Sequence, residues 1–183
     1  MIKQSTLTIH VSIKATEDYE ENCNHYGTST GTCEDLAGRI GAKLGVNNII
    51  NVTDLDDSII AENDNLILGT STWGAGEMQD DWYDGIKVLK SANLEGKTVA
   101  LFGCGDSESY PDTFVGGMAE LYNVAKNVGA CVIGGVSTNG YTFDESEAVV
   151  DGKFVGLALD EVNEDNKTDE RINAWVTEIQ PSL

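Results

Sequence analysis

The stretch NLILGTSTWGAGEMQDDWYDGIKVL, residues 65–89, decides the fold class. It begins with a short, continuous apolar run, passes through a loop rich in glycine, and ends in a stretch whose Trp82, Ile86 and Leu89 share one helix face. A continuous rather than alternating apolar run indicates a strand that is covered on both faces. The stretch therefore predicts a strand–loop–helix unit of an α/β sheet.

Strand-like runs and helix-like stretches alternate along most of the chain. Four more continuous apolar runs are NIINV (48–52), TVALFG (98–103), CVIGGV (131–136) and FVGLAL (154–159). Amphipathic stretches separate them, and another follows near the C-terminus, where Thr168 is expected to cap the helix. The alternation predicts a doubly wound α/β fold, with a five-stranded parallel sheet and helices on both faces. No linker or repeat divides the sequence, so residues 1–183 are expected to form a single domain.

The first 26 residues do not follow this pattern. Residues 6–13, TLTIHVSI, alternate apolar and polar positions like a strand with one exposed face. Residues 20–26, EENCNHY, are polar, although they directly precede a glycine-rich loop that a buried strand should hold. Either segment is a candidate for the first strand. We favour residues 6–13, which would make residues 14–24 an acidic excursion on the surface.

Composition restricts the function before any motif is considered. The formal net charge is −20, so the chain should repel nucleic acid and anionic membranes and favour a partner with a basic docking face. The four cysteines form no C-x-x-C pair and, with the two histidines, no metal-ligand spacing. No apolar run is long enough to span a membrane, and no secretory signal is recognisable. A reduced, cytoplasmic protein without a metal is expected.

The loop GTSTGTC, residues 27–33, leads into a predicted helix. Hydroxyl groups, backbone N–H groups and the positive end of a helix dipole together stabilise a phosphate without any lysine or arginine. The lysine of a nucleotide-binding P-loop is missing from it. The loop therefore predicts a phosphate site, although an ordinary helix-capping turn has a similar composition.

Two more loops, each after a predicted strand, carry aromatic residues. In STWGAGEMQDDW, residues 71–82, Trp73 is bordered by glycine, which favours an accessible ring over one folded back on the sheet edge. In GCGDSESYPDTF, residues 103–114, Tyr110 offers a second ring and Asp106 an acceptor for ring N–H groups. The carboxyl ends of parallel strands meet at one edge of the sheet. The three loops therefore predict a site for a planar, phosphorylated ligand.

Taken together, the three loops resemble those of the long-chain flavodoxins. That family has G-T-x-T-G-x-T in the first loop, P-T-W-x-x-G-E-[LM]-Q-x-D-W in the second and G-x-G-D-x-x-x-Y-x-D-x-F in the third. Residues 137–176 also resemble the family, including the inserted segment that splits the fifth strand in its long-chain members. The chain departs from the pattern at Cys33, where the family has threonine, and at Ser71, where it has proline.

The resemblance implies a one-electron carrier of low potential that holds FMN non-covalently, turns over no substrate and has no catalytic residue. It implies that the first loop binds the phosphate and that Trp73 and Tyr110 cover the two faces of the ring. The cofactor-binding residues that it implies are Thr28, Ser29, Thr30, Gly31, Thr32, Cys33, Ser71, Thr72, Trp73, Gly74, Ala75, Gly76, Gly103, Cys104, Gly105, Asp106 and Tyr110. The implied partners of this monomer are basic-faced redox proteins, such as a flavodoxin/ferredoxin–NADP reductase.

Two other functions stay open at this point. A flavin or quinone reductase of the same fold would take hydride from NAD(P)H and would need a basic residue near the flavin, which the three loops lack. A degenerate or flavin-free relative, such as a receiver module, is the other possibility. A receiver needs an aspartate at the end of the third strand and a lysine at the end of the fifth, and neither is present. The sequence therefore favours the electron carrier.

Overall fold

The computed structural model describes residues 22–183, so the predicted strand at residues 6–13 lies outside the described residues. Within the described range the strands are β1 (Asn22–Gly27), β2 (Ile49–Asn51), β3 (Asn65–Trp73), β4 (Glu77–Met78), β5 (Thr98–Cys104), β6 (Cys131–Ile133), β7 (Val136–Ser137), β8 (Val149–Val150), β9 (Lys153–Phe154) and β10 (Leu157–Leu159). The α-helices are α1 (Thr32–Leu44), α2 (Asp57–Glu62), α3 (Trp82–Ser91), α4 (Met118–Asn127) and α5 (Asp165–Ile179).

The main sheet has five positions. Four strands lie side by side in the order β2-β1-β3-β5, and all of them are parallel. The remaining edge of β5 is shared by two strands, because β6 pairs with residues 98–100 and β10 with residues 102–104, both in parallel. β4 adds a short antiparallel pair at the end of β3. This order confirms the predicted doubly wound parallel sheet.

The chain between β6 and β10 leaves the main sheet and forms a small antiparallel sheet, β7-β9-β8. Rings attach this excursion to the rest of the fold. The Phe154 ring lies edge-on to Phe114, with centroids 6.0 Å apart, and 5.0 Å from the Tyr141 ring. The guanidinium of Arg171, on α5, lies 3.8 Å from the Tyr141 centroid. The fifth strand is therefore interrupted, as the sequence predicts, by a segment with aromatic packing of its own.

Helices cover both faces of the main sheet. Successive residues of a strand point to opposite faces, so Leu66 and Leu68 of β3 pack in one layer and Ile67 in the other. The first layer contains α3 and α4, and the second contains α1 and α5. Burying each such side chain contributes about 1.5–3 kcal/mol to the stability of the fold. This packing on both faces holds the strands, and with them the loops at their ends, in position. Within the described range, no helix is long and apolar enough to cross a membrane.

The first described strand corrects the prediction for the N-terminal region. β1 begins at Asn22, so residues 22–24 lie in a buried strand and not in a surface excursion. Parallel pairing with both β2 and β3 satisfies the backbone of β1 whatever its side chains are. Asn24 Nδ2 also donates to Ala37 O at 2.9 Å, and Cys23 Sγ lies 3.1 Å from His25 Nε2. Among the described residues, however, Asn24 Oδ1 and His25 Nδ1 have no partner.

The last helix begins earlier than the sequence predicts. α5 starts at Asp165, so Thr168 lies inside its first turn and not at its cap. Thr168 is buried, and its hydroxyl donates to the carboxylate of Glu161, which precedes the helix. A threonine hydroxyl that could cap its own helix can equally bond to a neighbouring segment. Here that bond connects α5 to the loop after β10.

Candidate functional site

A cleft of about 300 Å³ opens at the carboxyl edge of the main sheet, where β1, β3, β5 and β10 end. Residues from all three predicted loops line it. The predicted site residues in its wall are Thr30, Thr32, Ser71, Thr72, Trp73, Gly74, Cys104, Gly105, Asp106 and Tyr110. The other predicted site residues, which belong to the same loops but do not line the cleft, are Thr28, Ser29, Gly31, Cys33, Ala75, Gly76 and Gly103.

The first loop connects β1 to α1 in a tight turn. Gly31 adopts a φ of +89°, and its N–H donates to Thr28 Oγ1 at 3.0 Å. The hydroxyls of Thr30 and Thr32 lie 3.3 Å apart, and both residues line the cleft. The first N–H groups of a helix have no acceptor within that helix, so the start of α1 presents donors at this end of the cleft. Hydroxyls, free N–H groups and the helix dipole together form an anion site.

The second loop is a hairpin turn that presents the Trp73 ring. Gly76 N donates to Trp73 O at 3.0 Å, and Gly74 between them has a φ of +53°. The Trp73 side chain is 46% exposed, and its Nε1 donates to Ser71 Oγ at 3.0 Å, which fixes the orientation of the ring. A large apolar ring held in an exposed position is suited to stack on a planar ligand.

The third loop presents the Tyr110 ring, which is 57% exposed. The Asp106 carboxylate accepts hydrogen bonds from Ser109 N and from Asn163 Nδ2, each at 2.9 Å, and these bonds lower the pKa of Asp106. The side chain that the sequence offers as an acceptor for ring N–H groups is therefore already hydrogen-bonded within the protein. Asp106 nevertheless lines the cleft.

Two glycines of this region are required for different reasons. A Cβ on Gly105 would lie 3.0 Å from Val115 N and 3.2 Å from the Phe114 ring, so only glycine lets the loop pass this close to its neighbours. A Cβ on Gly103 would lie 2.6 Å from Met118. Gly103 therefore allows α4 to pack on the sheet, and that role is separate from the cofactor binding that the resemblance implies for it.

Sequence reasoning missed a fourth wall of the cleft, the loop after β10. Its anchor is Asp160, a fully buried carboxylate that accepts from Ser107 N at 2.9 Å, Ser107 Oγ at 2.6 Å and Asn163 N at 3.0 Å. Burial raises the pKa of Asp160, but the hydrogen bonds from Asn163 and Ser107 outweigh it and hold the pKa below its usual value. Asp160 thereby positions Glu161 and Val162 along the cleft.

The loop after β10 also connects to α1. Glu161 Oε2 forms an ion pair with Arg39 Nη1 of that helix at 3.2 Å. Val162, beside it, is 68% exposed, an unusual exposure for an aliphatic side chain at a cleft. The signal that could have identified this wall from the sequence is an aspartate directly after the buried run LAL, at the same sheet edge as the other loops.

Cys33 lies behind the cleft rather than in its wall. It is fully buried on the sheet-facing side of α1, and burial, followed by the neighbouring Cys104 thiol, raises the pKa of Cys33 well above its usual value. The thiol therefore remains protonated and points into the core. That Cys33 belongs to the phosphate-binding loop stays a prediction.

The charge around the cleft is negative. Exposed carboxylates in or beside the second and third loops include Glu77, Asp80, Glu108 and Asp112. Among residues 22–183, no lysine or arginine lines the cleft, and no group of three or more histidine, cysteine or acidic side chains is placed to hold a metal ion. Two exposed rings, neutral donors and a helix start can bind a flat molecule that carries a phosphate.

Comparison with known proteins gives one consistent family. The family model described as Flavodoxin matches residues 25–175. The chain is 41% identical over 163 residues to Flavodoxin 1 of Azotobacter vinelandii, with 85% of this chain and 92% of that protein covered. It is 38% identical over 158 residues to the flavodoxin of Helicobacter pylori, with 86% and 95% covered.

The fold has close counterparts among solved structures. The flavodoxin of Fusobacterium nucleatum, solved with flavin mononucleotide bound, superposes with a TM-score of 0.83 at 35% identity. The superposition covers 88% of this chain and 98% of that one. These similarities therefore extend over most of the chain and over nearly the full length of each relative.

Proposed function

This chain belongs to the flavodoxin family, whose members carry electrons on FMN, and we propose that its cleft between Trp73 and Tyr110 holds that cofactor. The chain is accordingly an FMN-based electron carrier that serves other redox proteins. When bound, FMN supplies the one-electron chemistry, and the protein binds and orients it. The observation that carries the proposal is that a single cleft combines the start of a helix with two exposed rings.

The phosphate end of FMN fits the first loop. Thr30 and Thr32 line the cleft, and α1 begins at Thr32, so its first N–H groups lack acceptors within the helix. A dianion bound there gains several charge-assisted hydrogen bonds, which are stronger than neutral ones. We propose residues 28–33 as the phosphate-binding segment, with the side chain of Cys33 making no contact.

The ring end of FMN fits the second and third loops. Trp73 and Tyr110 offer two exposed faces for stacking, and Gly105 lies in the same cleft wall without a side chain that would enter the ring site. The backbone of Gly74, Ala75, Gly105 and Asp106 provides polar groups for the ring edge. The proposed set also includes Ser71, Thr72, Gly76, Gly103 and Cys104. To this set we add Val162, because it lines the same cleft.

The net charge suggests the kind of partner. Redox proteins are the general partners of this family. We propose that the exposed carboxylates of Glu77, Asp80, Glu108 and Asp112 form an acidic rim around the cleft. This acidic rim would select partners with a basic docking face, such as a flavodoxin/ferredoxin–NADP reductase. A direct NAD(P)H reductase is disfavoured by the lack of any basic residue among the described residues of the cleft wall. We further propose a monomeric, cytoplasmic, long-chain flavodoxin with residues 1–183 in one domain.

Titration of the flavin-free protein with FMN and, in parallel, with riboflavin tests the site. We expect FMN to bind in a one-to-one ratio, seen as a change in the visible spectrum and quenching of flavin fluorescence. Riboflavin should bind much more weakly, because it lacks the phosphate. Trp73→Ala should weaken FMN binding, whereas Tyr83→Ala, at an equally exposed aromatic residue outside the cleft, should not. Equal affinities for the two flavins would remove the phosphate assignment.

Electron transfer is tested separately from binding. The reduced, FMN-loaded protein should pass electrons to a basic cytochrome, and it should consume NADPH only when a reductase is added. Steady NADPH oxidation by the purified protein alone would support the reductase alternative instead.

A further inference from the structure

Two of the four cysteines, Cys33 and Cys104, lie in the same core layer beside the cleft. Cys33 is the second residue of α1, and its helix neighbours Leu36, Ala37 and Ile40 pack on the sheet. Cys104 is the last residue of β5, and Ala100 and Phe102 of the same strand face the same layer. Alternation along the strand thus directs Cys104 toward α1, while the helix face directs Cys33 toward the sheet.

Only one of the two thiols borders the cleft. Cys104 forms part of the cleft wall, whereas Cys33 is fully buried behind it. The Cys104 thiol is also close enough to act on the ionisation of Cys33 directly, and its presence raises the pKa of Cys33 further. An oxidant that enters the cleft would therefore meet Cys104 first, with Cys33 as the nearest second thiol.

The other two cysteines are placed differently. Cys23 packs in the opposite layer of the sheet, 3.1 Å from His25 Nε2. Cys131 is exposed and lies at the amino end of the sheet, opposite Thr98. Neither shares the layer and the strand end at which Cys33 and Cys104 meet.

We propose that Cys33 and Cys104 form a reversible disulfide when hydrogen peroxide enters the flavin-free cleft, and that a flavin in the cleft prevents this. The peroxide oxidises the Cys104 thiol to a sulfenic acid and leaves as water. The protonated Cys33 thiol then attacks the Cys104 sulfur and passes its proton to the departing hydroxyl, so that the S–S bond forms and a second water is released. In total, two thiols lose two electrons and two protons, and one hydrogen peroxide becomes two waters. A thiol reductant reverses the reaction.

The disulfide would mark chains that have lost their cofactor. It would link the start of α1, which carries the phosphate loop, to the end of β5, which carries the third loop. Only the shielding depends on the proposed function, because it requires FMN to occupy this cleft. Disulfide formation in the flavin-free protein does not depend on it.

The test uses the Cys131→Ser variant, which removes the exposed thiol that would otherwise join two chains. Flavin-free protein is treated with hydrogen peroxide and examined by intact mass and by a non-reducing digest. We expect the mass to fall by two hydrogen atoms and a single cross-linked peptide pair to contain Cys33 and Cys104. Adding Cys33→Ser or Cys104→Ser should abolish this pair, and a Cys23→Ser substitution should leave it unchanged.

FMN-loaded protein, with occupancy verified by its visible absorbance, should form the disulfide at least tenfold more slowly. Equal rates with and without bound FMN would overturn the shielding. A cross-link through Cys23, or oxygen added to Cys104 without any disulfide, would overturn the proposal itself. A failure of FMN to bind would be seen in the visible absorbance. It would not affect the test of disulfide formation, because that experiment uses flavin-free protein.

Discussion

The backbone N–H of Ala75 donates a 2.6 Å hydrogen bond to the carboxylate of Glu77, across the turn that carries Trp73. This bond holds the Gly74–Ala75 peptide in one orientation beside the proposed ring site. It also places a negative charge next to that site. The electron affinity of a bound flavin should therefore depend on Glu77, although Glu77 does not line the cleft.

We expect Glu77→Gln to shift the midpoint potentials of bound FMN to less negative values. Removing the charge reduces the repulsion that a reduced, negatively charged flavin meets, and a neutral acceptor holds the Ala75 N–H less strongly. A reductive titration against reference dyes measures the shift. Glu95→Gln, which removes an exposed charge near the amino end of β5, is the control and should leave the potentials unchanged. The same shift in both variants would indicate net charge rather than this contact.

Substitution at Gly74 should destabilise the flavin-free protein. An alanine there must adopt a φ of +53°, which costs about 1 kcal/mol or more, and its Cβ would overlap Glu77 Oε2. Gly140 is a matched control, because it has a φ of +86° with open space around the added Cβ. Urea unfolding should show a larger loss for Gly74→Ala than for Gly140→Ala. Equal losses would mean that Glu77 moves aside freely.

Asp160→Asn should loosen the fourth wall of the cleft. The amide removes the charge that strengthens the bonds from Ser107 and Asn163, at a cost of about 1.5–3 kcal/mol in the free energy of unfolding. Because the folded pKa of Asp160 lies below its unfolded value, this stability is present above about pH 4 and is lost as the pH falls through the folded pKa. Unfolding free energies measured from pH 7 to pH 3 should therefore converge for the two proteins. A constant difference would exclude the charge as the cause.

His25 should make the protein sensitive to mild acid. Burial lowers the pKa of His25 to about 4, whereas an unfolded histidine titrates near pH 6.5. Between these values the unfolded chain binds more protons, so the free energy of unfolding falls as the pH falls, by about 3 kcal/mol in total. His25→Leu should flatten this part of the profile. Parallel profiles for wild type and variant would contradict the assignment.

Association with a basic redox partner should depend steeply on salt. The acidic rim attracts such a partner over distances that physiological salt screens, so the electron-transfer rate should fall as ionic strength rises. Stopped-flow measurements with a basic cytochrome give this dependence. A small neutral oxidant is the control and should show little change. A rate that is flat or rises with salt for the cytochrome would count against electrostatic steering.

The parts of the fold that were predictable are those in which burial and backbone pairing agree. The runs at residues 66–68 and 99–102 are apolar throughout, and both lie in central strands. β1 was not predicted because its sequence is polar. Backbone pairing holds the strand in place, while His25 contacts Cys23 and Asn24 donates to Ala37 O. Sequence periodicity does not register such local partners.

The site was predictable to the same extent. The loops that directly follow β1, β3 and β5 reach the cleft, and the unusual placement of Trp73 and Tyr110 identifies two of them. The loop after β10 was missed because Asp-Glu-Val-Asn is typical of an exposed acidic turn. Its role depends on Asp160 being buried against Ser107, a contact between residues 53 positions apart in sequence. Only the folded chain shows such a contact.

The shared edge of β5 makes the excursion between β6 and β10 separable in principle. Ile133 pairs with Ala100 and Leu157 with Phe102, so one residue opposite Leu101 would join the two halves into a continuous strand without a change of register. Deleting residues 134–155 leaves Gly156 as that residue. The deletion would also remove Phe154, whose ring packs against Phe114, and Phe114 lines the cleft. The segment could therefore be removed without a change in the pairing of the main sheet. The cost would fall on the third loop, because Phe114 would lose the ring that packs against it.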